Sequence, residues 1–454
     1  MGSTTRRNQA AVAAAMATAL AVTGCGSGGS GEAADFSSSP SGDLAAWAFD
    51  NADDVGEARI AYAEDALPEV SVTLDQTTFD AQKFTTRVAS GDVPDVVQMD
   101  RNFVATYAAQ GLIEPLDACY AAHDVDPQER FYESVVGDVT YDDQVWAVPQ
   151  FFQPPAIILD ARVVREAGLT AADIDTSDPD RLEAAASAMY EEEGGDPSRL
   201  GFDGVWASQA ALFILGQGGQ LVDEEGVPTL DDPRNVAGLE LEKRLVDAQG
   251  GYAAGKSLSD TFDTFGDRNQ FVADQVGAQI AAQWYVSVLS PYRDQVDITA
   301  VPFRDADGQP FAVAGGTAYV VPAGAENPDA ACAWALALTE QDAWTAAAEA
   351  RAATLAETTG AVNAGLFTGS PAADAAIRDQ YVEPSGDEGF DTTIATYYEA
   401  VSAGTSIGAS PAGQQIQGDL QNAVVSYLLG DKTAEEALAD AQRSSQRAYD
   451  RAVG

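Results

Sequence analysis

Histidine is almost missing from these 454 residues, His123 being the single example. A zinc site built on imidazoles needs several of them. A Ser-His-Asp triad would have to recruit this one residue from what reads as a helix end and loop beside Asp124 and Asp126, so both chemistries are set aside. Cysteine is nearly as scarce, with only Cys25, Cys119 and Cys332. Positive charge is short as well: 24 Lys and Arg stand against 71 Asp and Glu, a net charge of −47. Such a chain repels phosphate backbones and anionic headgroups, which argues against nucleic acid as a partner. The acidity is spread along the whole length, as on a solvated surface; its functional alternative is attraction of a cationic ligand. Beyond the N-terminus no apolar run approaches the roughly 18 residues that span a bilayer. A phosphate-cradling loop is also lacking, since Gly216-Gln217-Gly218-Gly219 follows a helical pattern rather than a strand.

What is present begins at residue 6. Arg6 and Arg7 precede an Ala-rich apolar run, Ala10 to Val22, which ends in Val22-Thr23-Gly24-Cys25. A charged start, a short apolar stretch and small residues before one Cys look like a bacterial lipoprotein export signal over residues 1–24. Its alternative is a cleaved secretory peptide with an incidental Cys. The lipoprotein reading makes Cys25 the lipidated first residue of the mature chain and places the protein on the outer face of the cell membrane, held by lipid rather than by a spanning helix. Arg6-Arg7 is also compatible with twin-arginine export, although the large apolar residues usual after such a pair are absent. Residues 25–42, rich in Gly and Ser, read as a flexible tether. Folded structure is expected from near Asp43.

About 430 residues then remain, enough for two or three domains and a large core. Strand and helix patterns alternate. Leu44 to Phe49, Val70 to Leu74 and Asp95 to Met99 read as strands, separated by helices at Ala52 to Leu67 and Phe79 to Ser90. A helix from about Arg101 to Gln110 follows, and Asp138 to Val148 alternates like a hairpin. After Pro149 and Pro154-Pro155 the alternation resumes with a strand at Ala156 to Leu159, helices at Ala161 to Ala167 and Asp180 to Glu193, and strands at Val276 to Ala281 and Ile298 to Val301. Ala312 to Val321 reads as a Gly-interrupted strand pair, and from Asn327 the chain is almost wholly helical, closing with Gly413 to Leu429 and Thr433 to Arg451. This is the pattern of an α/β fold with mostly parallel sheets flanked by helices. Cys119 and Cys332 fit two accounts, a disulfide in an oxidising exterior or buried Ala-like packing, with burial slightly favoured.

Several segments in order resemble the extracellular solute-binding proteins of ATP-driven (ABC) importers, in particular the carbohydrate-binding group similar to maltose-binding protein. They are Gly91-Asp92-Val93-Pro94-Asp95-Val96-Val97 with Asp100, Gln110-Gly111-Leu112-Ile113-Glu114-Pro115-Leu116, and Tyr141 to Pro149. Further along come Gly218-Gly219, Phe271 to Ile280 with Trp284, Gly315 to Pro322, and Leu429 to Leu438. Where the family commonly shows a Tyr-Tyr-Asn-Lys type segment, this chain has Ile157-Ile158-Leu159-Asp160. The resemblance implies two lobes with a ligand cleft between them: residues 43–150 plus about 305–340 as one, and 151–304 plus about 341–454 as the other, with crossings near Pro149 to Pro155 and Val301 to Phe311. It also implies a monomer that carries no cofactor, performs no catalysis, binds a small solute such as a sugar, and delivers it to a membrane permease.

A sugar offers hydroxyls around its rim and C–H faces above and below, so its site combines polar groups with stacking rings. Asp50 and Asn51 follow the first strand, and Asp100 and Arg101 the third, at carboxyl ends where open α/β sheets bind ligands. For Asp100-Arg101 the alternative is a helix N-cap with a surface ion pair. Candidate stackers are Trp47, Trp146, Phe151, Phe152, Trp206, Trp284, Tyr285 and Trp344, for most of which core packing is the more ordinary role. Trp284 is favoured because it ends a strand beside polar Gln283 and matches a family position that stacks on sugar. Gly316, with Gly315, lies on a cleft-facing strand where a missing side chain permits close approach, or else marks a bulge or hinge. Two alternatives stand beside the sugar-binding reading: an exported glycoside hydrolase-like enzyme, for whose carboxylate pair there is no distinctive signature, and a binder of a non-sugar solute such as a polyamine or peptide.

Overall fold

The computed structural model of the chain describes residues 36–49 and 53–454. Cys25 with the leader, most of the tether, and Asp50 and Asn51 lie outside the described residues. Packed structure starts earlier than expected, because Phe36 is buried in the core and Ser37 N donates to Asp329 Oδ1 at 3.1 Å.

The first sheet is built from β1 (Gly42–Trp47), β2 (Val70–Asp75), β3 (Val96–Asp100), β6 (Val148–Gln153) and β13 (Gly315–Val320). Its order is β2-β1-β3-β13-β6, with β1 parallel to both β2 and β3, and β13 antiparallel to β3 and β6. The second holds β7 (Pro155–Asp160), β8 (Glu191–Glu193), β9 (Asp196–Asp203), β10 (Val276–Ala282) and β11 (Ile298–Val301) in the order β11-β7-β10-β9-β8. There β9 and β10 are parallel and the remaining pairs antiparallel. The short pairs β4 (Thr140–Tyr141) with β5 (Gln144–Val145), and β12 (Ala312–Val313) with β14 (Gly404–Thr405), complete the strands. Both sheets are mixed because strands that pass from one lobe to the other run back alongside their neighbours. β6 leads through Pro154 into β7, and β11 returns through β12 into β13.

Local chemistry sets the helix ends. Asp53, Asp80, Asp178 and Asp387 cap helices by accepting from backbone N–H groups one turn on, Asn327 does so just before Pro328, and Thr433 with Glu436 forms a capping box. Asp180 to Glu193 is not one helix. The helix is Pro179–Met189, and Gly194 and Gly195, both at positive φ, turn Glu191–Glu193 back as an edge strand.

The helices after residue 340 are divided between the lobes, although a single second-lobe assignment was expected. Gln341–Ala356 lies on Asp54–Ala66 in the first lobe, where Val55 packs with Trp344, Ala347 and Ala348, and Arg351 is paired with Asp53 and Asp54. Glu388–Ser402 instead packs on β7 and β11, and Gly413–Leu428 on Trp206–Gly216 and Ala434–Val453. Cys119 and Cys332, both fully buried, are joined in a disulfide, so the bonded account holds and the two thiols are not free. It staples the Pro328–Ala337 helix, which covers β1 and β3, to the Asp117–Ala122 helix. No helix among the described residues is long and apolar enough to cross a membrane.

Candidate functional site

β3 ends at Asp100 in the first lobe; β9 and β10 end at Asp203 and Ala282 in the second. Carboxyl ends of strands in open α/β sheets are where ligands sit, and two adjoining cavities open there. One, of about 180 Å³, lies between the lobes, lined by Asn102 and Asp138 on one side, Ser208 to Leu212 on the other, and the Val313 to Gly315 crossing between them. The other, of about 420 Å³, is walled by Asp203, Trp206, Phe262, Lys256 and Gln279. Ala207, Ser208 and Gln421 belong to both, so the two form one trough. A larger cavity, about 710 Å³, lies between helices Pro371–Tyr381 and Glu388–Ser402. It touches no end of a parallel strand, and we place the candidate site in the trough.

Asp100 is exposed at the tip of β3 and its side chain caps no helix, which removes the N-cap alternative. Surrounding protein raises its carboxyl above the ordinary range, and the Arg101 charge opposes this. Arg101 points elsewhere. It is buried, donating from Nε to Asp138 Oδ2 at 3.0 Å and from its terminal nitrogens to the carbonyls of Gln150, Phe151 and Ala314. The guanidinium thus ties β3, β6 and the residue before β13 together where the chain crosses between lobes. It leaves no fork free for a solute. Gly316 belongs to the same knot, because a Cβ there would collide with Arg101 Nη1 and the Phe151 carbonyl oxygen.

The aromatic candidates separate by exposure. Trp47 is fully buried, with Nε1 donating to Thr77 Oγ1 at 3.0 Å and the Lys83 ammonium 4.6 Å above the ring, so it presents no stacking face. Trp344 is fully buried under the Arg59 guanidinium, 4.0 Å away, and Phe151 meets it edge-on. Phe152 is buried against Tyr132, and Trp146 is half-buried with Nε1 bonded to the Tyr141 carbonyl. Phe151 itself is half-buried at φ 59, and its amide donates to Thr368 O. Tyr285 is buried. These positions serve the core and the crossings. Trp206 is half-buried between Phe202 and Phe213 with part of its surface in the trough. Trp284 is 38% exposed and stacks on Phe265, itself 70% exposed, at 5.7 Å and 16°. Trp284 comes just after β10 and Phe265 well before it, and two large rings left open to water can offer a platform to a sugar face.

Sequence reasoning missed Phe265, Asp203 and Gln279. Asp203 is 6% exposed and accepts from Gln279 Nε2 at 2.8 Å and from Val205 N at 3.0 Å. Burial raises its carboxyl pKa, with those two donors pulling the other way. Gln279 Oε1 in turn accepts from Gln270 Nε2 at 2.6 Å, which holds the Gln279 amide towards the carboxylate. The signal for Asp203 was an acid at the end of a strand; it went unread because β9 starts with Asp196-Pro197-Ser198-Arg199 and contains Gly201. Among the described residues no group of acidic, His and Cys side chains is arranged to hold a metal ion.

Residues 50–352 match the family model of bacterial extracellular solute-binding proteins. No curated protein matches the chain. Among solved structures it is similar to CpMnBP1 with mannobiose bound, at 20% identity and a TM-score of 0.69 over 89% of this chain and 99% of that one. It is also similar to the sugar-binding protein MalE from the phytopathogen Xanthomonas citri, at 15% identity and a TM-score of 0.66 over 90% and 98%. A third likeness is UgpB from Mycobacterium tuberculosis in complex with glycerophosphocholine, at 18% identity and a TM-score of 0.66 over 91% and 100%. These likenesses carry the two-lobed fold. Since the family model spans more than half of the chain and the two sheets meet at a trough of strand ends, the chain belongs to the bacterial extracellular solute-binding proteins.

Proposed function

We propose that this chain is the lipid-anchored capture subunit of an ATP-driven importer, which binds a sugar or oligosaccharide outside the cell and passes it unchanged to a membrane permease. The observation that carries the reading is the exposed Trp284–Phe265 stack, whose Phe265 follows Thr264 of the polar trough's wall. Rings supply the apolar platform for C–H faces. Asp203, Gln279 and Ser208 supply hydroxyl partners. The lobes close about the β6–β7 and β11–β13 crossings, and closure buries the solute and presents a shape that the permease recognises. Cys25 is the lipidation site. Mannobiose in CpMnBP1 and the sugar-binding designation of the Xanthomonas protein favour a carbohydrate.

A thermal-shift screen of mono- and oligosaccharides, run on wild type and Trp284→Ala, tests this. A ligand that binds only the native state raises the unfolding midpoint, by about 2.7 kcal/mol of stability at 100 times its Kd. A saccharide should shift wild type and shift the variant far less. Equal shifts would dismiss Trp284 from the site, and turnover of the saccharide would dismiss the binding-only reading.

A further inference from the structure

The charges around the trough are one-sided. Among the described residues that line its two cavities, the carboxylates are Asp138, Asp203 and Asp260, and the cation is Lys256. Lys256 Nζ is engaged by Asp260 one helical turn away, and Asp138 is engaged by Arg101. Each of these pairs is internally neutral. Asp203 remains, a carboxylate whose hydrogen-bond partners, the Gln279 amide and the Val205 N–H, are both uncharged.

We infer that the trough selects by charge: it takes an uncharged or amine-bearing solute and refuses one carrying a phosphate or carboxylate, with Asp203 as the discriminating residue. Hydroxyl groups donate to a carboxylate without charge conflict, and an ammonium does so with charge assistance. An anion brought beside Asp203 meets like charge in a partly water-excluded wall with no unpaired cation to offset it. The field of a chain at −47 acts in this direction from a distance, concentrating cations and thinning anions near the surface.

The inference rests on the solute-capture reading but not on its carbohydrate part, and the test keeps the two apart. Calorimetric or thermal-shift titration is run at fixed ionic strength against two matched sets. The saccharides are mannobiose and maltose (neutral), chitosan disaccharide (amine), digalacturonate and maltose 6′-phosphate (anionic); the other solutes are spermidine, glycerol, glycerol 3-phosphate and citrate. The expected result is binding confined to neutral or amine members, with anionic counterparts weaker by roughly tenfold or more. Asp203→Asn should narrow that gap. Gln421→Lys, which sets a cation where the two cavities join without touching Asp203, should admit an anionic member that wild type refuses, and it serves if Asp203→Asn does not fold. Binding of spermidine without any saccharide would support charge selection while ending the carbohydrate proposal. Anionic members binding within about threefold of neutral ones would overturn charge selection, whatever the chemistry of the binder. A flat response to every solute overturns both.

Discussion

Replacing Arg101 by Leu should loosen the molecule at the point where its chain crosses between lobes. The side chain is 1% exposed and its partner Asp138 is 7% exposed, so the change leaves a buried carboxylate without its cation. It also strips the carbonyls of Gln150, Phe151 and Ala314 of a charged donor. Removing one member of a buried ion pair costs about 3–5 kcal/mol, far more than the pair gains over an apolar replacement, because the remaining charge is stranded. Burial already holds the Asp138 carboxyl above its ordinary range despite Arg101, so the stranded acid takes up a proton more readily once the guanidinium is gone. Urea unfolding followed by tryptophan fluorescence reads the loss as a lower midpoint. Gly316→Ala is its companion: a methyl there collides with Arg101 and with the Phe151 carbonyl, so it is destabilising alone and less so beside Arg101→Leu. Only part of the cost should vanish, since the Phe151 backbone remains in the way. A midpoint for Arg101→Leu corresponding to less than about 1 kcal/mol of destabilisation would refute the view of Arg101 as the knot of the crossings, as would strict additivity with Gly316→Ala.

Glu242 is fully buried on the Asn235–Asp247 helix, both of its oxygens lack hydrogen-bond partners among the described residues, and burial alone holds its pKa well above the usual value. Its folded pKa exceeds the unfolded one, so its contribution is present in acid and is lost as pH rises through the folded value. Glu242→Leu should therefore gain over wild type with rising pH in urea melts, by roughly 1–3 kcal/mol on the alkaline side; a pH-independent difference would contradict this. Asp374, buried against Tyr132 and Thr368, has its carboxyl pushed up to about 6 by burial. Its part in stability likewise falls as pH climbs from the unfolded range through about 6, and carboxyl-carbon NMR should find a titration near that pH which Asp374→Asn removes. Cys119 and Cys332 are 213 residues apart in sequence and fully buried. Native protein should resist alkylation even with reductant present, while Cys332→Ala should cost about 3–5 kcal/mol in the same melts; quick labelling of the folded chain would count against the burial.

Much of the fold could be read from alternation alone. β11 lies at Ile298–Val301, where its four apolar-rich residues before Pro302 placed it, and the helices after Asn327 and Thr433 start at the caps their sequences announce. β9 was invisible for a physical reason. Gly201 interrupts its apolar run because the Pro179–Met189 helix approaches so closely that a Cβ would collide with the Ala186 backbone, so the residue that packing demands is the one that hides the strand. Of the candidates named from sequence, Trp206 lines the trough, Asp100 is exposed at the end of its strand, and Trp284, directly after a strand, keeps an open ring. Its partner Phe265 lies in a stretch without regular periodicity, and nothing local tells that its ring will lie on Trp284.

Composition and periodicity, read along the chain, determined the strongly negative net charge and the alternation of strands and helices, and the ordered segments from Gly91 to Leu438 carried the resemblance to the family. Which polar and aromatic side chains face the trough was decided by tertiary structure. Arg101 and Asp100 are adjacent in sequence, yet one is sealed into the crossings and the other opens to water, because burying a guanidinium requires acceptors gathered from Asp138, β6 and Ala314. Those acceptors come together only when β3, β6 and β13 are assembled into the first sheet.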